Sequence, residues 1–140
     1  MIEINNLTKS SVNKKLLKGI IENVLKGENQ EKENLSIVFV GAKRIRELNK
    51  KYRKKDKPTD VLSFSAVEKF PDIPELELGE IVICPQIVKK NAKKFNIEYN
   101  KELNRVLVHG VLHILGYEHE NTEKEAKKMF GKQEKYLLKV

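Results

Sequence analysis

One cysteine, Cys84, is all the thiol in this 140-residue chain, which excludes an internal disulfide and a zinc site built mainly of cysteine. Cys84 closes the apolar run Ile81-Val-Ile-Cys84, the setting of a small buried hydrophobe and not of a nucleophile. No stretch reaches the roughly 18 consecutive apolar residues of a membrane span. The first residues, Met1-Ile-Glu-Ile-Asn-Asn6, lack the basic start and sustained apolar run of a signal peptide. Together these absences imply no membrane association and a home in the reducing cytoplasm. Repeats, low-complexity tracts and an interdomain linker are missing too. The length and a hydrophobic content of 39% suit one ordinary core, so residues 1–140 are expected to form a single domain.

Acidic residues are in short supply. Twenty Asp and Glu face 28 Lys and Arg, for a net charge of +8 and an isoelectric point near 9.5. The excess is local: between Lys43 and Lys57 nine basic residues stand against Glu47 and Asp56, which is seven of the eight net charges. Such a patch suits a polyanionic partner or an acidic surface, and is as often only a solvated helix face.

Histidine is scarcer still, and its placement carries the chemistry. All three histidines fall in His109-Gly-Val-Leu-His113-Ile-Leu-Gly116-Tyr-Glu-His119. On a helix His109 and His113 stand about 40° apart around the axis, with Cβ atoms roughly 6 Å from each other. Val106, Leu107, Val108, Val111, Leu112, Ile114 and Leu115 make the helix apolar and therefore buried. Gly116 can end it in a left-handed cap and bring His119 back as a third ligand. Three neutral imidazoles with a fourth position for water make a catalytic zinc site, whereas a structural site closes with four protein ligands. The spacing and the glycine also match the metzincin peptidases, but Gly110 stands where their general base, a glutamate, would be.

Hydrophobic periodicity orders the rest. Ile2–Ile4, Leu35–Val40, Thr59–Ser65 and Gly79–Cys84 read as strands. Helices are expected from a cap at Thr8, Ser10 or Ser11 to Gly27, through the basic segment to just before Pro58, from Pro85 to about Phe95, from Glu98 to Leu115, and after a cap at Asn121 or Thr122. In the last helix Ala126, Met129, Phe130, Gln133, Tyr136 and Leu137 share a partly apolar face. Glu68–Glu77, with Pro71, Pro74 and four acids, reads as a mobile surface loop. The expected fold class is α+β (mixed α/β): about four strands in a mixed sheet, about five helices packed on it, and a metal site at a buried helix C-terminus.

The histidine stretch resembles, almost letter for letter, the H-G-x-L-H-x-x-G-Y-D-H signature of the YbeY family of rRNA-maturation endoribonucleases, with Glu118 in place of the aspartate. Asn49-Lys-Lys-Tyr52-Arg53, Lys57-Pro-Thr-Asp-Val-Leu-Ser-Phe64 and Leu78-Gly-Glu-Ile81 look like its other blocks, in order; Ser65 replaces a common proline. The resemblance implies a metal-dependent endoribonuclease of single-stranded RNA, with zinc on His109, His113 and His119 and with Arg53 important for activity. It further implies work on the 30S ribosomal subunit in 16S rRNA 3′-end maturation and ribosome quality control, near a small-subunit ribosomal protein and a ribosome-assembly GTPase. Guanidinium chemistry agrees: a planar fork holds two phosphoryl oxygens at once, as lysine cannot. Lys50, Lys51, Lys54 and Lys55 are the candidate RNA contacts. Glu118 and Glu120 are either partners orienting an imidazole or ordinary loop acids. Two alternatives stay open on the residues alone: a zinc peptidase, by ligand spacing, and a non-catalytic RNA-binding assembly factor with a structural metal, for want of an evident general base.

Overall fold

In the computed structural model the described residues are 1–31, 34–65 and 79–140, so the expected loop Glu68–Glu77 lies outside them. Alternation builds the sheet. In β2 (Leu35–Phe39) Leu35, Ile37 and Phe39 are buried while Ser36 and Val38 are half-buried on the opposite side. β1 (Ile2–Asn6) pairs with it in parallel, Ile2 against Leu35, and β4 (Gly79–Ile83) does the same on its other side. β3 (Val61–Ser65) runs antiparallel to β4 at the edge, giving the order β1-β2-β4-β3. The strands expected at Ile2–Ile4 and Thr59–Ser65 thus shift by two residues at one end each.

Five helices are present among the described residues: α1 (Lys14–Gly27), α2 (Ala42–Arg53), α3 (Pro85–Lys94), α4 (Tyr99–Ile114) and α5 (Glu123–Leu137). A mixed four-stranded sheet with five helices is the expected fold class. Two helix ends differ from expectation. Asn13, and neither Thr8, Ser10 nor Ser11, caps α1, its side chain accepting from Leu16 N at 3.1 Å. The basic helix α2 stops at Arg53 because Lys54 turns left-handed (φ 62°), so Lys54, Lys55 and Lys57 belong to the following turn. Thr122 caps α5 as expected. No helix among the described residues is long and apolar enough to cross a membrane.

The two sheet faces are covered unequally. α2 closes one with Ile45, against Leu62, Phe64, Val82 and Cys84, and Cys84 is fully buried as its apolar run predicts. The other face carries the main core, where Ile37, Phe39, Ile81 and Ile83 meet Ile21 and Val24 of α1 and Leu107, Val111 and Leu112 of α4. Each such fully buried aliphatic side chain contributes about 1.5–3 kcal/mol. Helix α4 is the hub, packed against α1, α3, α5 and β3. At Gly110 it lies close to the sheet: a Cβ there would stand 3.3 Å from Ile81 Cγ2 and from Ser63 Oγ, and Ser63 Oγ donates to Gly110 O at 3.3 Å. That approach lays the histidine turn of α4 against the edge strand.

Candidate metal centre

His109 and His113 sit one turn apart on α4, with their Nε2 atoms 3.0 Å from each other. After Leu115 the helix closes in a Schellman motif, Gly116 N donating to His113 O and Tyr117 N to Leu112 O, both at 3.0 Å. Gly116 takes φ +101°, a conformation that only glycine enters cheaply. The chain therefore doubles back, and the His119 ring comes to 5.1 Å from that of His109 and 5.0 Å from that of His113, centroid to centroid. One nitrogen from each histidine lies within 4.8 Å of the others, so the three could hold a metal ion.

The donor set has the chemistry such an ion requires. Gln133 on α5 sets its Oε1 2.9 Å from His109 Nδ1, and an amide oxygen can only accept, so the proton sits on Nδ1 and Nε2 keeps its lone pair. His119 Nδ1 is buried without a hydrogen-bond partner among the described residues, a cost that a bound cation would remove. Burial, then the neighbouring His113, His119 and Arg105, holds the His109 imidazole down at about 4 despite the Gln133 bond that works the other way. Burial, with His119 beside it, lowers His113 as well. Both rings are thus neutral at physiological pH, the form that ligates. Glu118 and Glu120 approach His113 Nδ1 and His119 Nε2 to 3.9 and 3.8 Å, too far for hydrogen bonds.

These histidines line a groove of about 670 Å³ together with Arg53, Lys55, Lys57 and Ser63. Arg53, at the last position of α2, donates from Nη2 to Ser63 O at 2.7 Å and lays its guanidinium 5.1 Å from the centre of the Phe64 ring. The strand thereby orients the fork beside the histidines. Of the four candidate lysines only Lys55 is among the described residues lining the groove. Lys50 lies 4.0 Å from Asp56, Lys51 stands over the Tyr52 ring, and Lys54 is the exposed left-handed cap of α2. Lys57, not singled out from the sequence, does line the groove. Gln133 was also missed as a site residue; its signal was a polar side chain on an apolar helix face. The peptidase alternative lacks its glutamate at position 110, where even a Cβ would stand only 3.3 Å from Ile81 Cγ2 and Ser63 Oγ, so any side chain would have to push these neighbours back.

Known proteins resemble the chain along nearly its whole length. The family model described as Endoribonuclease YbeY matches residues 3–140. A protein of Persephonella marina named Endoribonuclease YbeY is 42% identical over 130 residues, covering 93% of this chain and 85% of that one. One from Thermotoga maritima with the same name is 41% identical over all 140 residues and 89% of its own length. The solution structure of TM1509 from Thermotoga maritima superposes with a TM-score of 0.70 at 40% identity, covering 98% of this chain and 87% of that one.

Proposed function

Because the chain belongs to the endoribonuclease YbeY family, we propose that it cuts single-stranded RNA in the groove between the three histidines and Arg53, and that its substrate is ribosomal RNA, at the 3′ end of 16S rRNA. The observation that carries this reading is the convergence of three imidazoles in one groove with an arginine whose fork is already held by Ser63 O. His109, His113 and His119 would hold the ion, zinc by the type and number of ligands. When bound, it supplies Lewis acidity at a phosphoryl oxygen and acidifies water at neutral pH.

The protein's own groups account for the rest. Gln133 keeps His109 in the ligating tautomer. Arg53 takes two nonbridging oxygens, whose negative charge grows as the phosphodiester is cut. Lys55 and Lys57 receive the neighbouring phosphates along the groove. The test is metal analysis of untagged protein together with cleavage of an end-labelled single-stranded RNA and identification of the product ends. One metal per chain and internal cuts are expected. Stoichiometric metal with RNA bound but never cut would favour the assembly-factor alternative, and no metal would sink the reading.

A further inference from the structure

Gln133 and Phe130, both on α5, contact histidines of the candidate metal centre. Gln133 is the inner one, buried against His109. Phe130, one turn earlier, is the outer one: its ring centre lies 6.1 Å from that of His119, inclined by 51°. Its place in the periodic face of α5 predicts burial, yet it is 46% exposed, while Met129 beside it is wholly buried. The aromatic rings of Phe39, Phe64 and Tyr136 are all buried. Phe95 is exposed too, but it caps α3 under the Lys94 ammonium, whereas the ring of Phe130 meets that of His119. Phe130 is therefore an exposed ring in contact with a side chain of the candidate centre.

We infer that Phe130 is a base-stacking platform for the RNA strand. Lys55, Lys57, Arg53 and the three histidines all line one groove, and Phe130 adjoins that lining through its ring contact with His119. A strand whose phosphates engage Arg53 and the lysines while it lies against the histidines has a nucleotide within reach of this ring. An unpaired base can lie flat on it; a base inside a duplex keeps its faces against its own neighbours. Stacking on aromatic side chains is how proteins commonly grip single strands, and it tolerates sequence because every base has a π face. The platform thus favours single-stranded over paired substrate. The inference rests on the endoribonuclease reading and adds the group that senses the base.

The test uses a fluorescein-labelled 2′-O-methyl oligouridylate, which cannot be cut by attack of its own 2′-hydroxyl and whose intact length is checked after each titration, and an abasic strand of the same length and charge. Metal-loaded Phe130→Leu, which keeps apolar bulk beside His119 but no π face, is expected to bind the oligouridylate about five- to tenfold more weakly, the lower range for one stacked base. Its affinity for the abasic strand and its metal content should match wild type. Phe130→Tyr should restore the oligouridylate affinity, which also controls for folding. Equal losses on both strands, or no loss on either, would overturn the inference. Wild-type cleavage of unmodified single-stranded RNA decides the rest: if it is present while Phe130→Leu binds normally, only the platform fails. If wild type neither binds nor cuts RNA, the reading on which the platform rests fails with it.

Discussion

Glu28, which caps the C-terminus of α1, accepts a hydrogen bond from the hydroxyl of Tyr117, 89 residues further along the chain. Tyr136 of α5 donates to the other carboxylate oxygen, and Lys132 Nζ lies 3.3 Å from that same oxygen. One nearly buried carboxylate therefore ties the turn that carries His119 to two helices. Burial pushes the Glu28 carboxyl up, but the bonds from Tyr117, Tyr136 and Lys132 together outweigh it and hold it below its ordinary value of 4.5.

A depressed carboxylate contributes stability that is complete above its unfolded-state value and is lost as pH falls through the folded one. Glu28→Gln should accordingly cost about 1–3 kcal/mol at pH 7, since it leaves a tyrosine hydroxyl short of its acceptor. The gap to wild type should shrink as the medium is made more acid than the ordinary carboxylate range. Urea unfolding at several pH values checks both; a gap that widens in acid would show that the carboxylate charge is not what the clasp uses.

Gln133 is the second handle on the site. Replacing it by leucine removes the acceptor for His109 Nδ1 while keeping the volume and the apolar face of α5. A lost partner of a ligating histidine lowers metal affinity by about 10- to 100-fold. Competition with a chelator should show that drop in Gln133→Leu with little change in the unfolding midpoint of the metal-free protein. His113→Ala, by contrast, should abolish stoichiometric metal and cleavage together.

The histidines were legible because their geometry is local: four residues along one helix, then a glycine that doubles the chain back. Gln133 was not, because it meets His109 across 24 residues and only the packing of α5 on α4 brings them together. The same holds for Glu28 and Tyr136, which lie in no motif, and for the bond from Tyr117 to Glu28, although Tyr117 itself stands in the histidine signature. Strand positions followed from alternation, but the edge place of β3 and its antiparallel pairing with β4 are long-range facts that no single strand's pattern encodes. The end of α2 was misplaced for a different reason. Pro58 limits a helix from beyond, and Lys54 ended this one earlier by adopting the left-handed conformation, which the residue type does not announce.

That early end sorts the basic patch. If the strand's phosphates run along the groove, Lys55→Gln and Lys57→Gln should each make the log–log dependence of RNA affinity on salt shallower by about 0.7, the value for one phosphate on a single strand. Lys50→Gln should change it less, since Lys50 lies on the exposed flank of α2 beside Asp56. Anisotropy titrations across a salt series measure all three. Equal slopes for all three variants would mean that the groove does not sort these charges.

The last prediction separates the arginine from the patch around it. Arg53 is half-buried, bonded to Ser63 O and stacked on Phe64, so its fork is aimed before substrate arrives. A group that engages the phosphate chiefly in the transition state lowers turnover more than binding when it is replaced. Arg53→Lys keeps the charge and loses the fork. It should bind metal and RNA nearly as wild type does, yet cut at least about tenfold more slowly at saturating RNA, a barrier increase of about 1.4 kcal/mol. Lys54→Ala, one residue on and outside the groove lining, should leave that rate intact. Single-turnover cleavage of both variants decides the matter. Wild-type turnover by Arg53→Lys would place the arginine among the phosphate-tracking charges, and the orientation imposed by Ser63 would then serve the packing of α2 on β3 and not the chemistry.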